Sequence, residues 1–199
     1  MRQLVFATNN EHKLRELGEI LTGEFKLLSL NDIACYDEIP ETGHTLNDNA
    51  SQKSFYIWDR YRMDCFSDDT GLEIVALNNE PGVHSARYAG EGRNSNDNVD
   101  KVLSEMLDIT NRIACFRCVI SLIINGIEYQ FEGRVDGEIL AERKGVSGFG
   151  YDPIFCPEGY QQSFAEMDAS LKNSMSHRGR AVKKLVRFLL EEFPYLPDR

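Results

Sequence analysis

Two adjacent carboxylates, Asp68 and Asp69, follow an apolar pair, Cys65-Phe66, and precede Thr70-Gly71, a pair with turn chemistry. Cys65 and Phe66 read as the buried end of a strand from which both acids emerge. A carboxylate there is costly to bury unless it holds a cation or meets hydrogen-bond donors. Taken alone, the pair is a polar turn with two solvated acids. Other charged residues also punctuate element ends: the acid Glu41 and the bases Lys13, Lys53, Lys172, His177 and Arg178. Carboxylates take Mg2+, the metal bridges phosphate oxygens, and lysines neutralise the rest. The set therefore fits a phosphate ligand with a hard divalent cation. Phe149, in the glycine-rich run Gly145 to Gly150, is a candidate ring for stacking on a flat ligand.

The elements that must carry these residues follow from periodicity. Residues 3–7 read as an apolar strand. Thr8-Asn9-Asn10-Glu11-His12-Lys13 leads into a helix with Leu14, Leu17, Ile20 and Leu21 on one face, capped by Asn10 and ended at Gly23. Strand, polar loop, helix start and lysine form an arrangement that can cradle an anion on free N–H groups. An ordinary turn with a surface lysine fits equally. Residues 25–30 read as a second strand. Thr45 caps a helix running to about Arg62, on which Lys53 either snorkels to water or points at something anionic. Residues 72–77 form a short strand, and Asn78-Asn79-Glu80 and Pro81-Gly82 are turns. Asn94 or Ser95 starts a helix to about Leu107, with Val99, Val102, Leu103 and Met106 inward.

Residues 112–124 form a long strand. Asn125-Gly126 is a type I′ hairpin turn into a return strand over 127–135. A short strand at 154–156 and a short helix carrying Ser170 to Asn173 follow. The last helix starts at Ser176-His177-Arg178-Gly179 and turns Val182, Leu185, Val186, Leu189, Leu190 and Phe193 inward. Pro194 and Pro197 end it. The order is mixed α/β, without repeats or linkers, and the chain reads as one domain over residues 1–199.

Composition excludes several classes. The net charge of −10 argues against a surface built for nucleic acid. No apolar run is long enough to span a bilayer or serve as a signal peptide, so no membrane partner is expected and the default location is the cytoplasm. Five scattered cysteines fit a reducing compartment better than a disulfide framework. Cys115 and Cys118 lie within a strand-like run and read as core or edge thiols, not as a zinc or redox pair. The glycine run is not the dinucleotide fingerprint, and no Walker A loop is present.

Six motifs in order resemble the inosine triphosphate pyrophosphatase family across essentially the whole chain. They are Thr8 to Lys13, Glu41-Thr42-Gly43, Ser67-Asp68-Asp69-Thr70-Gly71-Leu72, Pro81 to Tyr88, Gly148-Phe149-Gly150-Tyr151-Asp152-Pro153, and Ser176-His177-Arg178-Gly179. The resemblance implies an elongated α/β domain of two lobes, with a central mixed sheet and an active-site cleft between the lobes. It also implies a homodimer, and Mg2+-dependent cleavage of ITP, dITP or XTP to the monophosphate and pyrophosphate. Thr8, Asn9, Asn10, Glu11, His12 and Lys13 would form the phosphate loop, with Lys13 and Lys53 neutralising charge. Glu41 and Asp69 would hold the metal, facing each other across the cleft, and Asp69 would accept the proton of the attacking water. Asp68 and Lys13 would assist. Thr70, Phe149, Gly150 and Tyr151 would contact the substrate. Asp152, Lys172, His177 and Arg178 would read the base edge. Arg and Lys only donate, so they favour a 6-oxo purine over adenine. Guanine shares the oxo group, so rejecting it needs a pocket that leaves its 2-amino group clashing or unpaired.

Two rivals stand beside this reading. A Maf-type pyrophosphatase would prefer pyrimidine or modified nucleotides, against which the set Phe149, Lys172, His177 and Arg178 argues. A non-catalytic nucleotide-binding protein would lack the acids, and Glu41, Asp68 and Asp69 are all present.

In an extended strand, adjacent side chains point to opposite faces. Asp68 and Asp69 are therefore expected to do different jobs.

Overall fold

A computed structural model describes residues 2–20 and 25–193. Gly23, Pro194 and Pro197, expected as helix ends, lie outside the described residues. The strands are β1 (Arg2–Phe6), β2 (Phe25–Leu28), β3 (Cys65–Ile74), β4 (Glu80–Pro81), β5 (Ile113–Ile124), β6 (Ile127–Ile139) and β7 (Phe155–Pro157). The helices are α1 (Glu11–Ile20), α2 (Leu46–Tyr61), α3 (Ser95–Glu105), α4 (Ala169–Met175) and α5 (His177–Glu192). The sheet order is β2-β1-β3-β5-β6-β7, with β4 also on β3. β1 is parallel to β2 and β3, while β3 and β4, and β6 and β7, are antiparallel. The expected mixed α/β sheet is thus present.

The chain divides into two compact units, residues 1–69, 118–133 and 179–199, and residues 70–117 and 134–178. In the first unit the sheet is apolar on both faces, as parallel strands covered by helices require. Leu4, Phe6, Phe66, Cys118, Ile120 and Leu122 pack with Leu17 of α1 and with Val182, Leu185 and Leu189 of α5. The alternate residues Val5, Ala7, Cys65 and Ile123 pack with Ile57 of α2. Phe6 and Phe66 stack at 4.6 Å and 6°. Leu190, expected inward on α5, is exposed.

In the second unit only one sheet face is apolar. Leu72, Ile74, Phe116, Val135 and Ile139 pack with Val99, Val102 and Met106 around α3, and with Phe155 and Phe164. The other face carries charge pairs, Glu73 with Arg117 at 2.9 Å and Arg134 with Asp136 at 2.6 Å. Cys115 and Cys118 belong to opposite faces of β5: Cys115 lies 3.6 Å from Glu73, Cys118 3.8 Å from Asp68, and neither forms a disulfide.

The hairpin turn forms as read, with Asn125 at φ 52° and Gly126 at φ 83°. Its return strand is longer than expected and reaches Ile139. The larger correction concerns β3. The expected turn at Thr70-Gly71 is absent, and one continuous strand runs from Cys65 to Ile74. Thr70 and Gly71 stay extended because tertiary pairing overrides their turn preference. Ser85 Oγ accepts the Leu72 N–H at 2.9 Å, and β4 pairs at Glu73 and Ile74.

Candidate active site

β3 positions both acids. Its alternation sends residues 66 and 68 to one face and 65, 67 and 69 to the other. On the first face, Asp68, buried, accepts from Lys13 Nζ at 2.8 Å. Lys13 sits in the first turn of α1, where Asn10 Oδ1 accepts the N–H groups of His12 at 3.0 Å and Lys13 at 3.2 Å. Asn10 is therefore the N-cap, and it takes the two N–H groups that the sequence reading offers to an anion. Thr8 Oγ1 accepts from the Asn10 N–H, while Asn9, Glu11 and His12 are exposed.

On the second face, three successive inward residues of β3 meet α2. Cys65 Sγ donates to the Ser54 carbonyl at 3.2 Å, Ser67 Oγ donates to the Ala50 carbonyl at 2.5 Å, and Asp69 Oδ2 accepts from Asn49 Nδ2 at 3.1 Å. Between the first two rungs the strand advances about 6.6 Å in two residues and the helix about 6 Å in four, so those rises stay in step; the third rung is made by the Asn49 side chain, one residue before Ala50. Thr45 caps α2 by accepting from the Asp48 N–H.

α2 also seats the loop Glu41-Thr42-Gly43. Asn49 Oδ1 accepts the Gly43 N–H at 2.7 Å, and Gln52 Oε1 accepts the Thr42 N–H at 2.9 Å. The loop delivers Glu41 to Lys53, whose Nζ lies 2.5 Å from Glu41 Oε1 and 3.5 Å from Asp69 Oδ1. Lys53 is buried and does not snorkel to water. Burial works against its ammonium, but Asp69, Glu41 and Asp68 outweigh that effect, so its pKa is raised. Burial raises the Asp69 carboxyl above its ordinary value, although Lys53 and Lys13 pull against this. Helical periodicity does not mark Asn49 and Gln52, because polar residues on a helix normally face water. The one available signal was their place beside Lys53, one turn or less away.

The second unit gathers the other expected residues. Asp152, buried, accepts from Lys172 Nζ at 2.9 Å and from the Phe149 N–H at 2.7 Å, both through Oδ2. Lys172 Nζ lies 5.0 Å and Arg178 Cζ 5.5 Å from the Phe149 ring centre. Arg178, 1% exposed at the first turn of α5, donates to Thr70 Oγ1 at 3.2 Å. His177, 4% exposed, stacks on Phe116. Gly150 takes φ 61°, open to glycine without strain. Tyr151 is part of the apolar core, its hydroxyl donating to the Ser85 carbonyl. An ion-paired lysine, a buried arginine and a half-buried ring in one place suit a flat ligand rich in acceptors.

With this geometry in hand, the family is defined. The model of the Ham1 family matches residues 4–188. A dITP/XTP pyrophosphatase of Flavobacterium psychrophilum is 52% identical over 94% of this chain and 98% of its own. One of Porphyromonas gingivalis is 50% identical over 96% and 98%. Among solved structures, a HAM1 protein from Coxiella burnetii superposes with TM-score 0.89 at 38% identity, covering 96% of this chain and all of that one. The chain belongs to the Ham1 family.

Proposed function

We propose that this protein hydrolyses non-canonical purine nucleoside triphosphates, of the dITP and XTP kind, to the monophosphate and pyrophosphate. The names of its relatives support the substrate class. The observation that carries the chemistry is Lys53, within ion-pair distance of both Glu41 and Asp69. One cation already meets both carboxylates, so the pair fits a small hard cation. Among the described residues no group of three or more His, Cys, Asp or Glu forms a fuller cage. A two-carboxylate set suits Mg2+, which retains waters and completes its shell with substrate phosphates. Glu41 and Asp69 would hold it, and bound there it would act as a Lewis acid on phosphate oxygens.

The chain's own residues then divide the work. Lys13 and Lys53 supply positive charge to the phosphates, each steered by a carboxylate behind it. Asp69 takes the proton of the attacking water, and a carboxyl pKa raised by burial makes it a stronger base. Lys172 and Arg178 present donors to a 6-oxo purine, and Phe149 supplies a stacking face. Asp152 organises this set by holding Lys172 and the Phe149 backbone through one oxygen. We further propose a single functional domain that acts as a homodimer on the cytoplasmic nucleotide pool.

Pyrophosphate release from ITP, dITP and XTP, measured beside dTTP, UTP and ATP with and without Mg2+, tests this reading. Preferential turnover of dTTP or UTP would overturn it in favour of the Maf type. Binding of ITP without pyrophosphate release would indicate the non-catalytic alternative.

A further inference from the structure

We propose that Phe116 is a positioning residue for base recognition, setting the plane in which the His177 imidazole presents its nitrogens. This rests on the reading of His177 as a contact to the purine edge. The two rings lie 4.6 Å apart between centres at 13°, a near-parallel stack. His177 is the first residue of α5, so the helix fixes its Cα–Cβ direction. Helix geometry leaves the ring plane open, because the terminal torsion of histidine is broad and has no sharp staggered well. A parallel aromatic neighbour closes that freedom.

Phe116 can impose a plane because its own is imposed. It meets Phe155 edge-on at 4.7 Å and 64°, and Phe164 at 6.1 Å and 25°. Phe155 and Phe164 pack on each other at 5.2 Å, and all three phenylalanines are at most 6% exposed. Imidazole nitrogens donate and accept in the ring plane. A ring parallel to Phe116 therefore directs them along that face. A hydrogen bond weakens steeply with misalignment, so a freed ring would lose its aim at a base edge without leaving its place.

The test compares Phe116→Leu and Phe116→Met, which remove the ring at similar volume, with Phe116→Tyr, which keeps it. His177→Ala and the double variant Phe116→Leu/His177→Ala complete a cycle. In variants that melt cooperatively, loss of the ring is expected to raise KM for ITP about tenfold, the scale of one aromatic pair. It should leave kcat within about twofold, as loss of ground-state binding alone requires. Preference for ITP over ATP should fall, Phe116→Tyr should keep it, and the double variant should be no worse than His177→Ala. Unchanged KM and preference in folded Phe116→Leu, or additivity in the double variant, overturns the proposal and leaves the base-contact reading standing. If His177→Ala itself changes neither quantity, that reading fails and the proposal with it. A check independent of variant folding uses proton NMR. The carbon-bound imidazole protons of His177, assigned by their loss in His177→Ala, should lie upfield of free histidine in the unsubstituted protein. Their absence from that region overturns the stack.

Discussion

Asp68 and Asp69 are neighbours in sequence and strangers in space. Their side chains leave opposite faces of β3, Asp68 to Lys13 at 2.8 Å and Asp69 toward Lys53 at 3.5 Å. Each acid has its own lysine on its own helix, so the two should fail differently when altered. Asp68→Asn leaves the half-buried Lys13 ammonium without its carboxylate, which should lower stability by about 2 kcal/mol. Asp69→Asn keeps an amide where burial already disfavours the charge, and Lys53 retains Glu41. Its melting temperature should be no lower than that of wild type while kcat falls about a hundredfold or more, the scale of a lost general base. Denaturant melts beside pyrophosphate-release kinetics separate the two. Equal destabilisation by both substitutions would contradict the division.

The same burial makes a pH prediction. The folded-state pKa of Asp69 is raised, so between its unfolded and folded values the native state binds more protons than the unfolded one. This residue therefore opposes folding increasingly as pH rises through that window, and the penalty is absent below it. The stability of Asp69→Asn relative to wild type should be greatest at neutral pH and shrink on acidification. Chemical denaturation at several pH values checks the trend, and a difference that grows toward acid would be the wrong sign.

Asn49 uses both ends of its amide, Oδ1 for the Gly43 N–H and Nδ2 for Asp69. Asn49→Leu removes both bonds at similar volume and leaves the loop that carries Glu41 held by Gln52. An unmade buried hydrogen bond costs about 1–3 kcal/mol, so kcat/KM should fall roughly ten- to a hundredfold. Asn49→Asp should be worse, because it sets a second carboxylate against Asp69. Steady-state kinetics across a Mg2+ series would show it.

Gly148 has φ 78°, and a Cβ there would lie 2.1 Å from Asp152 Oδ2. Gly148→Ala must displace the oxygen that holds both Lys172 and the Phe149 N–H. KM for ITP should rise about tenfold, and stability should drop by about 1–3 kcal/mol from the left-handed backbone and the clash. Kinetics and thermal melts on the same preparation measure both.

What could be read beforehand followed local rules. The Asn10 and Thr45 caps, the Asn125-Gly126 hairpin and most of the α5 stripe are set by side chains within a few residues of one another. The opposite faces of Asp68 and Asp69 came from strand geometry alone. Thr70 and Gly71 misled because partners distant in sequence, Ser85 and β4, decide their conformation. Asn49 and Gln52 were invisible for a related reason: nothing in a helical pattern says that a polar side chain faces a loop six to ten residues back. Phe116 lies in the strand expected over 112–124, but one of its ring neighbours is a histidine from far along the chain.

The ladder along β3, with Cys65, Ser67 and Asp69 on α2 and Asp68 on Lys13, has a bearing on how such a gene can change. Exchanging a residue disturbs one rung. Inserting or deleting a single residue before Asp68 shifts the strand by one and turns every later side chain to the other face, giving each acid its neighbour's surroundings. Over this stretch lineages can differ in letters far more readily than in length, and indels should be absent where substitutions are still found.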